Sequence, residues 1–302
     1  MKSLDLEVRP PSPFRLPSYS SEDRTMRVRG GVLSRLLRVG ESPVLVRAWE
    51  PARGRVALRA EPLDPGAVVS PTAIPAEAGR PAGTTELRLA LERMRFALGV
   101  DDDLSEFYRR FRRDRLLGPV LRRRPWLRLR RRPWAWEALA WAVVKQLIET
   151  ERAAVIQRRI VGRWGARLGA DRGALRDVPP AATIAGRAPA ELAAMDLSPG
   201  RSLALRAVAR EIAAGRCDPA DPNADRRLLA VPEIGPWTVQ CLGLFGRGDP
   251  DSLPAGDLIY LKLVGRLARL GRRATVEEVE ELYAPYEPFR GLAGLWTIGL
   301  YR

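Results

Sequence analysis

The chain has 302 residues, enough to bury a large core and more than one domain usually holds, and its 51 Lys and Arg against 36 Asp and Glu leave a formal charge of +15. That balance favours a polyanionic partner, and the absence of any histidine removes every His-based acid–base, nucleophilic or metal scheme. Two cysteines, Cys217 and Cys241, cannot supply the four thiolates of an iron–sulfur cluster. With no signal peptide and no long uncharged apolar run, the expectation is a soluble, cytoplasmic protein with no membrane partner.

Residues 1–85 carry short alternating runs, Thr25 to Val28, Val44 to Ala48 and Arg55 to Ala60, set apart by Gly, Pro and Ser. These predict antiparallel strands in a small α+β domain. Ser70 to Gly83, rich in Pro, Ala and Gly, reads as a linker. From Thr85 the pattern turns helical, beginning with Leu87, Leu89, Leu91, Met94 and Phe96, so residues 86–302 are expected to form a second, helical domain. The run Asp101 to Asp103 suits the N-terminal cap of the next helix. Residues 108–132 hold twelve arginines against Asp114, with Tyr108, Phe111 and Trp126 interleaved. Such a stretch is either a phosphate-binding edge or a solvated helix face followed by a connector. No internal repeat or coiled-coil heptad is visible.

The apolar series Trp136, Leu139, Ala140, Val143, Val144 predicts a helix, and Leu147 continues its spacing. Further on, Asp221, Pro222 and Asn223 form a helix start signal, Leu228, Leu229 and Val231 make an apolar side, and Pro232 stops the helix. Gly235 permits a tight reversal and Pro236 suits the first position of a second helix, along which Trp237, Cys241, Leu244 and Phe245 recur. A helix N-terminus at Gly235 offers free N–H groups to a phosphate oxygen. About twenty residues later the sequence LPAGD ends in Asp257. Taken alone, Asp257 reads as a helix N-cap.

The order LLAVPEIGPWTVQC, then LPAGD, resembles the helix-hairpin-helix and Gly/Pro-rich Asp motif of the DNA glycosylase superfamily, and within it the bacterial 3-methyladenine DNA glycosylase II family. Trp136 to Gly165 resembles that family's helix, Gln-containing turn and following helix, and PFRGLAGLWTIGLYR resembles its C-terminal segment, so about two-thirds of the chain is covered. The resemblance implies a mainly α fold, a two-lobed helical core with a smaller N-terminal antiparallel sheet. It implies that Asp257 is the catalytic carboxylate facing C1′ of a flipped nucleotide, stabilising an oxocarbenium-like transition state. Trp237 and Trp296 match positions where relatives place base-pocket tryptophans, and Cys241 stands where an aromatic is frequent; plain core is the other reading of both tryptophans. Val231, Ile234, Gly235, Trp237 and Thr238 would contact DNA at the hairpin. Gln146 and Leu147 would enter the duplex where the base has left, with helix core as the other reading of Leu147.

Two departures stand out. Glu233 replaces the hairpin's first glycine, and Trp237 stands where bifunctional relatives have a Schiff-base lysine. Lys145, the lysine nearest the motifs, reads as a surface or phosphate-facing residue. The function implied is a monofunctional glycosylase that releases alkylated purines from double-stranded DNA and leaves an abasic site, acting as a monomer near the nucleoid. No zinc, iron or nucleotide cofactor is expected; a Na+ or K+ ion at the hairpin carbonyls is compatible with it. The alternatives are a non-catalytic helix-hairpin-helix DNA-binding protein and a glycosylase for oxidised or deaminated purines.

Overall fold

The computed structural model describes residues 2–69, 80–169 and 174–299. Most of the linker read at Ser70 to Gly83, and the last three residues of the C-terminal motif, lie outside them.

Five strands form one antiparallel sheet: β1 (Leu4–Val8), β2 (Met26–Arg29), β3 (Val32–Val39), β4 (Ser42–Ala52) and β5 (Arg55–Pro62), in the order β1-β5-β4-β3-β2. The three runs read from the sequence fall on β2, β4 and β5. Alternation sorts the side chains. Leu33, Leu37, Val44, Val46, Val56 and Leu58 face α1 (Thr84–Leu98), which buries Leu87, Ala90, Leu91 and Met94 against them, whereas Leu36 and Leu45 meet Ala166 and Leu175 on the opposite side. There, β6 (Val68–Val69), β7 (Arg167–Leu168) and β8 (Leu175–Arg176) make a second, three-stranded sheet. Because α1 is the cover of the first sheet, the packing unit runs on to Val100. The expected boundary at 85/86 therefore separates the sheet from the helix that completes its core.

The helices form two lobes. One core joins α4 (Ala135–Lys145), α5 (Thr150–Trp164), α6 (Ala181–Ala185), α7 (Pro189–Ala193), α8 (Pro199–Ala213), α9 (Asp225–Leu229) and α10 (Pro236–Leu242). The other joins α2 (Ser105–Phe111), α3 (Gly118–Arg123), α11 (Leu258–Leu267), α12 (Val276–Tyr283) and α13 (Arg290–Ile298). The chain passes between them at a π-helical extension of α10, Gly243–Arg247, where Leu242 belongs to the first core, Leu244 to the second, and Phe245 packs on both. Among the described residues no helix is long and apolar enough to cross a membrane.

The twelve arginines of 108–132 divide by position. Those from Arg109 to Arg124 are exposed. Arg128 is buried, Arg130 donates to the carbonyls of Leu98 and Arg15, Arg131 binds Asp102 at 2.6 Å, and Arg132 binds Asp23 at 2.6 Å and Glu137 at 2.9 Å. This last pairing is part of a buried network between the N-terminal sheet and α4. Arg35 of β3 reaches Glu137 at 2.6 Å, and Trp141 donates its indole N–H to Asp23 at 2.9 Å. Burial alone would raise Asp23, but Arg132 and Arg35 overcome it and hold the carboxyl well below the usual range. Asp177, nearby, is pushed up to about 7 by burial, with Glu137 adding to the effect and Arg35 opposing it.

Candidate active site

Three helix ends meet at the seam between the lobes: the C-terminus of α4, the N-terminus of α10 and the N-terminus of α11. The end of α4 is fixed by two side chains. Arg201, 8% exposed on α8, donates to Val144 O at 2.9 Å, placing a cation where helix carbonyls are unpaired. Gln146 donates its amide to Glu233 O at 2.7 Å and to Thr238 Oγ1 at 3.0 Å, clamping α4 to the hairpin.

The hairpin forms as its sequence suggests, with α9 ending at Leu229 and α10 starting at Pro236. Glu233 takes φ +70°, the left-handed conformation that the missing glycine would occupy at no steric cost. For an L-residue this costs about 1–2 kcal/mol. Two contacts accompany it: the Gln146 clamp, and the Glu233 carboxyl carbon, 3.1 Å from where a Cβ on Gly200 would stand, at the positive N-terminus of α8. The carboxylate is thus drawn towards α8. Ile234 is 5% exposed and its N–H donates to Val231 O at 3.1 Å, while Thr238 is 1% exposed with its hydroxyl accepting from Gln146. The side chains of Ile234 and Thr238 therefore point inward, because a turn this tight is anchored by its own core. Gly235 and Trp237 begin α10, and Val231 is half-buried.

Asp257 is the N-cap of α11, its Oδ1 accepting the Ile259 N–H at 3.0 Å. Its Oδ2 accepts the Trp237 indole N–H at 3.3 Å. The hairpin thus reaches the carboxylate directly through the residue that replaces the lysine. One helical turn beyond Trp237, Cys241 is buried, and burial together with the Asp257 charge raises its thiol, with Lys145 pulling the other way. Tyr260, buried on the first turn of α11, is likewise raised by burial and by Tyr283, Asp257 and Cys241.

Leu147 stands fully exposed, with φ +55°, directly after the clamp. Its core reading is removed, since the helical spacing it continues stops at Lys145. Trp296 goes the other way. It is 2% exposed and packs edge to face on Phe107, ring centroids 5.9 Å apart, inside the second lobe's core. Lys145 is not a surface lysine: it is half-buried, and burial, with Arg132 assisting, lowers its ammonium. No signal in the local sequence separates it from a solvated lysine, because what buries it comes from other segments.

No family model matches the chain. It is 30% identical over 184 residues to a Mycobacterium tuberculosis protein described as a probable bifunctional transcriptional activator/DNA repair enzyme AlkA, covering 57% of this chain and 35% of that protein. It is 26% identical to a Bacillus subtilis DNA-3-methyladenine glycosylase, covering 59% and 61%. The chain thus spans about a third of the length of the mycobacterial relative. A 3-methyladenine DNA-glycosylase structure from Archaeoglobus fulgidus superposes with a TM-score of 0.77 at 19% identity, over 98% of this chain and 97% of that one. With the two-lobed helical core, the hairpin and the Asp257 cap, these likenesses show that the chain has the fold of the helix-hairpin-helix DNA glycosylases and resembles the AlkA-type 3-methyladenine glycosylases.

Proposed function

We propose that this chain is a monofunctional DNA glycosylase of base excision repair. It flips an alkylated purine from double-stranded DNA and hydrolyses the N-glycosidic bond, leaving an abasic site. The observation that carries the reading is the Trp237–Asp257 contact at 3.3 Å, which ties the carboxylate to a hairpin suited to hold the strand. Gly235 and Trp237 supply first-turn N–H groups of α10 to a phosphate oxygen. Leu147 enters the stack from the opposite strand-side of the site, where its exposure leaves it free to replace the departed base.

As the C1′–N bond lengthens, positive charge grows on the sugar, and Asp257 stabilises it in a partly desolvated setting. The same carboxylate orients the water that adds to C1′. A cationic alkylated purine leaves without strong acid assistance, so the absence of histidine is no obstacle. With tryptophan at position 237, the hairpin offers no amine for a Schiff base, and the strand is left intact. A Na+ or K+ ion, if bound, would be held by hairpin carbonyls, Val231 and Glu233 among them, whose second lone pairs remain available, and would supply positive charge to a phosphate. The exposed arginines between Arg109 and Arg124 add sequence-independent attraction to DNA, and the protein works on nucleoid DNA in the cytoplasm.

The test is incubation of wild type and Asp257→Asn with methylated duplex DNA in the absence of added metal, scoring free bases and strand breaks before and after alkali. Methylated purines from wild type only, with breaks appearing only after alkali, support the reading. DNA binding by both proteins with no base released by either would make it a binding module.

A further inference from the structure

We infer that the groove between α8 and the hairpin turn is a docking site for an extended segment of a partner protein, one in which acidic residues alternate with apolar ones. The inference concerns a different surface from the glycosylase reading above and stands independently of it.

Two cavities, of about 600 and 310 Å³, run into one another here, since Ala207, Arg210, Val231 and Pro232 line both. Among the described residues, Leu147, Trp237 and Asp257 line neither. One wall is α8, whose Gly200, Leu203, Ala207 and Arg210 recur every three or four residues and so share a face. The other wall is the turn from Ala230 to Glu233. Between them the surface is apolar: Leu203 is 56% exposed, and Ala207, Ala230, Val231 and Pro232 carry no polar side-chain atom. An apolar strip left open to water gains from being covered.

The charges on the rim say what covers it. Glu211 binds Arg216 and Arg227 at 2.6 Å each, so these three side chains satisfy one another. Glu233 turns its carboxyl towards Gly200, at the N-terminus of α8. Arg206 and Arg210 are left over. Among the described residues neither side chain makes an ion pair or a hydrogen bond, and the Nε of Arg206 is buried with no acceptor. The groove therefore offers an apolar strip beside two unspent guanidiniums, and carboxylates on the occupant would complete both.

The spacing selects an extended chain. Arg206 and Arg210 are one helical turn apart, about 6 Å along the axis of α8. Alternate residues of an extended chain point to the same side and repeat at about 6.6 Å. Acids at alternate positions thus meet the two arginines, and the residue between them turns onto the apolar strip. From Gly200 to Glu211 the wall runs about 16 Å, the length of about five extended residues. A DNA strand suits this surface less well, because it would carry a charge per nucleotide past Glu211 and Glu233 and lay no apolar group on Leu203.

The experiment is a fluorescence-anisotropy titration with two labelled pentapeptides, Asp-Leu-Asp-Leu-Asp and Asp-Ser-Asp-Ser-Asp, at about 0.15 M salt, with an undamaged duplex titrated alongside. Wild type should bind the leucine peptide roughly tenfold tighter than the serine peptide. Leu203→Ser and Arg210→Ser should each weaken that binding roughly fivefold, with Tm, duplex affinity and base release unchanged. Equal binding of the two peptides, or no binding of the leucine peptide, overturns the inference, as does binding that ignores both substitutions. Duplex affinity that falls in the two variants as far as peptide affinity makes the groove a DNA contact and overturns it too. Base release is scored separately, so its failure in wild type sinks the glycosylase reading alone.

Discussion

Replacing Leu147 by alanine separates a residue that holds the fold from one that waits for a ligand. Were Leu147 in the core, as its helical spacing allows, the truncation would cost about 2–5 kcal/mol, or a fall in Tm of several to well over ten degrees at roughly 2–4 °C per kcal/mol. The side chain is fully exposed, so there is no burial to lose. Its φ of +55° adds strain that alanine keeps and glycine relieves. The expected Tm of Leu147→Ala is therefore within about 2 °C of wild type, and Leu147→Gly is equal or slightly higher, by about 0.5 kcal/mol once glycine's greater backbone entropy is subtracted. Activity should behave differently. Burying a leucine side chain between base pairs is worth about 1.5–3 kcal/mol, so kcat/KM for base release from duplex DNA should fall roughly 10- to 100-fold. On single-stranded DNA, where no gap needs filling, the loss should shrink to a few-fold. The assay is calorimetry alongside single-turnover release on both substrates. A large drop in Tm, or an equal loss of rate on single- and double-stranded DNA, would refute the wedge argument.

Other consequences follow from the same geometry. Asp257→Asn keeps a good N-cap for α11 and so should leave Tm nearly unchanged; removing the anion should slow base release by roughly 100-fold or more, measured under single turnover, and a mild effect would mean that another group carries the charge. Glu233→Gly removes about 1 kcal/mol of left-handed strain and one negative charge from the hairpin. Binding to a duplex with an abasic analogue should tighten roughly two- to tenfold at low salt, with the gain shrinking as salt rises; weaker binding in anisotropy titrations would show that the carboxylate helps. Asp177 titrates near 7 in the folded protein against 3.8 as its ordinary value, so the folded state keeps a proton that the unfolded chain releases. Stability should therefore fall as pH rises from about 4 to about 7, by up to about 1.4 kcal/mol per pH unit, and then level off. In Asp177→Asn that slope should vanish from urea-unfolding midpoints taken across the window, and its persistence would locate the proton elsewhere.

The local and periodic features were legible in the sequence. The reversal at Gly235 and Pro236, the cap at Asp257 and the alternation in β2, β4 and β5 are set within a few residues by φ preference, capping and side-chain period, so they needed no distant partner. What depends on segments far apart in the chain was decided only by tertiary packing. Spacing could not tell Trp296, sealed in the second lobe, from a pocket wall, nor Leu147, left in solvent, from the next core residue of α4. Twelve arginines look alike as a run, yet Arg130, Arg131 and Arg132 are drawn inward by Leu98 O, Asp102 and Asp23. Lys145 shows the same thing, because its charge environment comes from Arg132, Glu22, Asp23 and Cys241 on other elements. Desolvation and Coulomb terms depend on distances in space, and a single sequence records only distances along the chain.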